Sequence, residues 1–176
     1  MAKLKSADSS CAETIGIVIL AHGYQIENEK LSRVSFDDVT DFKADTKNLG
    51  LEHIVQRAEI IIRSYLDQGQ SIVVITSGAK RKWTDSLSLG DVLMREIVRT
   101  ISLKAFLSPA KAFIQVEDSS IDLHQAAKHT TQLLLKHNID RLCVITHSNI
   151  AQCQDAFQSL LPKCPVDVFL ATASQG

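Results

Sequence analysis

Four short clusters in this chain combine small, polar and ionisable residues immediately after an apolar run. They are His22-Gly23-Tyr24, Thr76-Ser77-Gly78-Ala79-Lys80-Arg81, Glu117-Asp118-Ser119-Ser120 followed by Asp122, and Thr146-His147-Ser148-Asn149. Their chemistry is that of ligand recognition. Glu117 and Asp118 accept hydrogen bonds from hydroxyls or face a cation, Lys80 faces an anion, and Gly23 and Gly78 let the main chain come close to a bound group. The candidate ligand-binding residues are therefore His22, Gly23, Ser77, Gly78, Lys80, Glu117, Ser120, Asp122, Thr146 and His147. Plainer roles compete at several of them. Ser119, Ser120, Asp122 and the Thr146–Asn149 stretch suit helix capping. His22 also suits a hydrogen-bonded loop histidine. Lys80-Arg81-Lys82 suits a solvated turn, and Trp83 suits packing.

These clusters converge only if the runs before them are parallel strands. The runs are Ile15–Ala21, Ile72–Ile75, Ala112–Val116, Leu142–Ile145 and Val166–Leu170. They are rich in Val and Ile and mostly lack polar alternation, which predicts strands covered on both faces. Between them lie segments of helical period. Residues 51–67 place Ile54, Ala58, Ile61, Ile62 and Tyr65 on one stripe, with Gly69 as a stop. Residues 87–103 do so with Leu89, Val92, Leu93, Ile97 and Ile101, and residues 121–137 with Ala126, Ala127, Leu133 and Leu134. A shorter helix is predicted over 150–161. Strands alternating with helices predict a three-layer α/β domain with a mainly parallel sheet of about five strands. In such a sheet ligands bind beyond the carboxyl ends of the strands.

The rest of the chain bounds the possibilities. Its 176 residues fit a single domain over 15–176 after a flexible stretch at 1–14. A polar segment from Tyr24 to Gly50 is long for a connection and suits a partly helical lid, a surface excursion without function or a partner-binding segment. Nineteen basic residues against 20 acidic ones give a net charge of -1, so no chain-wide attraction to nucleic acid or an anionic membrane is encoded. The longest apolar runs are far too short to cross a bilayer and no signal-peptide core precedes Glu13, so a cytoplasmic protein is expected. Cys11, Cys143, Cys153 and Cys164 form no CxxC pair and read as free thiols. GxGxxG, GxxxxGK[ST] and GxSxG are all absent, which removes the usual dinucleotide, P-loop and hydrolase-elbow signatures. His124 and His129 fall on different helix faces, and no metal is assigned.

The order of the clusters resembles the SanA/YdcF/ElyC family. The matching residues are Ile17 to Gly23 with Leu31-Ser32, then Arg57, Ala58, Tyr65 and Gly69 before Ile72–Ile75, Ser77 and Gly78. Glu117, Ser120 and Asp122 follow, then Ile145-Thr146 and Phe157. The resemblance implies a Rossmann-like α/β fold and a small polar or nucleotide-like ligand. Because a family member binds S-adenosylmethionine, that cofactor is an implied candidate. Leu123, Ala126, Ile150 and Cys153 stand where the family carries Thr, Asn, His and Arg, and against the family pattern the polar stretch at about 33–50 is an insertion. Two alternatives stay open: a histidine-phosphatase-like phosphomonoesterase built on His22, Ser77, Arg81 and His147, and a non-catalytic interaction module whose site has degenerated. The oligomeric state is not encoded in any recognisable pattern.

Overall fold

The computed structural model describes residues 12–21, 51–79, 88–101, 112–120, 122–147 and 149–171. The elements in chain order are β1 (Thr14–Leu20), α1 (Glu52–Asp67), β2 (Ser71–Ser77), α2 (Leu89–Thr100), β3 (Ala112–Glu117), α3 (Leu123–Leu134) with a 3-10 turn at Leu135–His137, β4 (Arg141–Thr146), α4 (Ile150–Leu160) and β5 (Val166–Leu170). All strand pairings are parallel, in the order β3-β2-β1-β4-β5. The expected α/β fold with a parallel five-stranded sheet is therefore the observed one, and its architecture is Rossmann-like.

The lack of alternation in the central runs follows from covered faces. Ile15, Ile17 and Ile19 of β1 join Ile72, Val74, Cys143 and Ile145 in a core closed by α1 and α2. Val18 and Leu20 join Val73, Ile75, Leu142 and Val144 in a second core closed by α3 and α4 around Phe157. Every second residue thus meets a helix on one side, and the intervening ones meet a helix on the other. The edge strands depart from the expected double burial. Phe113 on β3 is exposed, and Asp167 on β5 faces solvent beside Arg141. An edge strand has one neighbour only, so its outer positions keep polar or partly wetted side chains.

The helix ends also follow from sequence. Gly69 has φ +76°, its N–H bonds the Leu66 carbonyl at 3.0 Å, and the Gln70 N–H reaches the Tyr65 carbonyl at 3.0 Å. This paired closure ends α1 and returns the chain to β2. Nothing lies within 4 Å of where a Cβ would sit on Gly69, so only the backbone conformation opposes a side chain there. Gly69→Ala is expected to cost about 1 kcal/mol in urea unfolding, with an unchanged m-value.

Register fixes what meets at the carboxyl edge. Leu20 pairs with Ser77, and Ser77 pairs with Glu117. On the other side Ile19 pairs with Ile145 and Thr146 with Leu170. The ends of all five strands consequently form one rim.

Candidate functional site

The strand ends are tied to one another by main-chain bonds past the last regular pairs. The Ala21 N–H donates to the Ser77 carbonyl at 2.9 Å, the Gly78 N–H to the Glu117 carbonyl at 3.0 Å, and the Ala171 N–H to the Thr146 carbonyl at 2.8 Å. The start of α2 closes on this rim. Leu89 and Gly90 donate their N–H groups to the carbonyls of Ala79 and Gly78, both at 3.2 Å. Ser88 caps the helix reciprocally with Asp91. A Cβ on Gly78 would lie 2.6 Å from Leu89 Cβ and 2.9 Å from the Gly90 nitrogen. The close approach that Gly78 permits is thus filled by the chain's own helix, and its amide is engaged by Glu117.

Glu117 ends β3 with a carboxylate enclosed by donors. Its Oε1 accepts from the Ser119 N–H at 2.9 Å, the Ser119 hydroxyl at 2.6 Å and the Ser120 N–H at 3.0 Å. Its Oε2 accepts from the Ser77 hydroxyl at 2.6 Å. His129 Nδ1 lies 3.4 Å from Oε1 and 2.9 Å from the Ser120 hydroxyl. Burial pushes the Glu117 carboxyl up, but the Ser119 and Ser77 hydroxyls, the Ser119 amide and the Ser120 hydroxyl outweigh it and pull the value down to about 2. Glu117 is therefore a permanent anion near neutral pH, with most of its acceptor capacity filled from inside the chain.

A second group of polar residues occupies the other half of the rim. Thr146 is fully buried at the end of β4, and His147 follows it. Burial, together with the charge of the nearby His53, holds the His147 imidazole down to about 4 against a backbone hydrogen bond with Ala171. His147 is thus neutral near neutral pH, with one ring nitrogen a donor and the other an acceptor, and the ring is already engaged with the Ala171 backbone. His53 belongs to the first turn of α1. Across the sheet, β4 is three strand positions from β3, so the two groups stand about 14 Å apart along the rim.

The sequence-derived site residues divide accordingly. Ser77, Glu117 and Ser120 come together, joined by His129, which the sequence reading set aside. Thr146 and His147 come together beside His53, also missed. Asp122 turns away to cap α3, accepting from the Gln125 N–H at 2.8 Å, and Asn149 caps α4 in the same manner. His22, Gly23 and Lys80 lie outside the described residues, as do Arg81, Trp83, the 24–50 segment and most of the 1–14 stretch. The phosphomonoesterase alternative thus keeps Ser77 and His147 among the described residues, and there the Ser77 hydroxyl is donated to Glu117.

The signal for His129 was present but incomplete. His129, Gln132 and Lys136 recur at helical spacing beside the buried stripe of Ala126, Ala127, Thr130 and Leu134. What the spacing does not show is the packing of α3 beside the end of β3, which turns that flank toward the Glu117 carboxylate. His53 gave no sequence signal, because its position depends on strand order.

Cys143 is buried and its Sγ lies 3.1 Å from the Tyr65 hydroxyl. Burial pushes the thiol up, which makes it a packing residue. Among the described residues no three His, Cys, Asp or Glu side chains converge as metal ligands, and no helix is long and apolar enough to cross a membrane.

No protein-family model matches this chain, and no curated protein or solved structure does either.

Proposed function

We propose that the protein binds a small polar, nucleotide-like ligand across the carboxyl edge of its sheet, in the crevice between β1 and β4. The observation that carries this reading is the strand order. The chain runs outward from β1 through β2 to β3 on one side and from β4 to β5 on the other, so the connections diverge between β1 and β4. Crevices of this kind hold ligands in open parallel sheets. His147 and His53 supply the chemistry there. A neutral imidazole recognises hydroxyls and ring nitrogens, which suits a nucleoside better than a bare phosphate. Leu51, at the start of α1, adds no capping side chain to the first-turn amides. S-adenosylmethionine, implied by the SanA/YdcF/ElyC resemblance, has the right chemistry: an adenine, a ribose and a zwitterionic tail.

The test is a thermal-shift panel of S-adenosylmethionine, adenosine and adenine nucleotides on the full chain. A ligand present at 100 times its Kd should add about 2.7 kcal/mol of stability. For a domain of this size that is a rise in Tm of roughly 5–10 °C. His147→Gln should remove most of the shift while the protein remains folded. A panel without any shift, or a shift indifferent to His147→Gln and His53→Ala, would reject the crevice as the site.

A further inference from the structure

A cleft of about 400 Å³ lies beside the outer edge of β3, between the rim residues Glu117, Asp118 and Ser119 and the α3 flank that carries His129, Gln132 and Lys136. The contacts of His129 Nδ1 bear on how its ring is used. The single hydrogen of the Ser119 hydroxyl is given to Glu117 Oε1 at 2.6 Å. Toward His129 Nδ1, 3.2 Å away, that oxygen presents a lone pair. Glu117 Oε1, 3.4 Å from the same nitrogen, is an acceptor as well. Of the three oxygens around Nδ1, two are acceptors toward it, and the third, the Ser120 hydroxyl at 2.9 Å, can accept or donate, so a hydrogen on Nδ1 is the arrangement that satisfies all three. The neutral ring then has its lone pair on Nε2, in a side chain that is about one-third exposed. A carboxylate holding one imidazole nitrogen so that the other is basic is the arrangement of a histidine base with its orienting acid.

We propose that Glu117 and His129 form such a dyad, with His129 Nε2 a general base in the β3–α3 cleft toward a small molecule bearing one carboxylate. In this step a proton leaves an O–H or N–H of the bound molecule and joins Nε2. The bonding electrons stay on the substrate atom, and the imidazolium formed lies against the Glu117 anion. Lys136 and Gln132, seven and three residues beyond His129, give the cleft one cation and one amide. Asp118 on the strand wall opposes further negative charge, which favours a monoanionic carboxylate over a phosphate dianion. Glu117 is a positioning residue in this scheme. The dyad stands apart from the β1–β4 crevice and does not depend on what binds there.

The experiment reads His129 directly. Long-range proton–nitrogen correlation on the ¹⁵N-histidine-labelled full chain, near neutral pH, should show His129 as the Nδ1–H tautomer. An Nε2–H tautomer overturns the proposal without any variant. Diethyl pyrocarbonate, which acylates an unprotonated ring nitrogen, supplies the second readout by peptide mapping. His129 should react about threefold or more faster than His124 on the same helix, although His124 is the more exposed of the two. Glu117→Gln should erase that advantage. Acetate should protect His129 but not His124, and Lys136→Ala should abolish the protection. Equal or slower acylation of His129 contradicts the base. Stronger protection by phosphate than by acetate contradicts the carboxylate assignment.

Discussion

Glu117→Ala is expected to be the most damaging single change at the rim, lowering unfolding free energy by about 4 kcal/mol in urea or guanidinium titration. The substitution removes an acceptor and leaves its donors in place. The Ser77 hydroxyl, the Ser119 amide and hydroxyl and the Ser120 amide all lose the partner they hold at 2.6–3.0 Å. Glu117 is 5% exposed and Ser77 and Ser120 are fully buried, so water does not readily take the vacated positions. The same geometry predicts an acid limb. The Glu117 carboxyl is depressed from 4.5 to about 2 in the folded chain, so its stabilisation is complete above pH 4.5 and is lost as pH falls toward 2. The loss amounts to about 3 kcal/mol, and Glu117→Gln should flatten that part of the stability profile. His147 acts earlier. Its value falls from 6.5 to about 4 on folding, so the unfolded chain takes up the proton first and stability declines as pH drops from 6.5 toward 4. His147→Gln should remove the earlier decline and leave the later one.

Gly90→Val is expected to cost about 3 kcal/mol or more, read in the same titrations. A Cβ on Gly90 would lie 2.9 Å from the Glu117 carbonyl oxygen and from Val116 Cγ1, and 3.0 Å from the Thr76 carbonyl oxygen. Two of these are main-chain atoms at the ends of β2 and β3, and retreat would pull apart the Ser77–Glu117 pair. Valine adds two further carbons to that clash. Gly90→Ala should cost less, since alanine recovers about 1 kcal/mol of helix propensity over glycine. The damage should extend to the Glu117 site, because α2 can relieve the clash only by lifting off the rim. Faster amide exchange at Gly78, Ser119 and Ser120 in the valine variant would show this, and unchanged exchange there would mean that the helix shifts without disturbing the strands.

Much of the fold was legible in the sequence for identifiable reasons. Ile17, Val18 and Ile19 in β1 and Val73, Val74 and Ile75 in β2 have no polar alternation because helices cover both faces. The stripes of α1 and α2 reproduce their buried faces closely, and Gly69 marks the end of α1. What was not legible depends on pairing. Apolar runs of similar length do not say which strands are outermost, so the exposure of Phe113 on β3 could not be read from its run. The Ser77 and Glu117 tips are 40 residues apart, and only the register turns two separate polar clusters into one hydrogen-bonded carboxylate. Asp122 shows the opposite case. Its type and its place before an apolar helix announced a cap, and a cap is what it makes.

The central claim is that a nucleotide-like ligand occupies the carboxyl edge between β1 and β4. Its most direct test is amide shift mapping by NMR while S-adenosylmethionine, and then adenosine, is titrated into the labelled full chain. The account predicts the largest perturbations at Ala21, His53, Thr146, His147 and Asn149, with little change at the opposite edge around Glu13, Gln70 and Asp140. Perturbations centred on that opposite edge, or none with either compound, would contradict it.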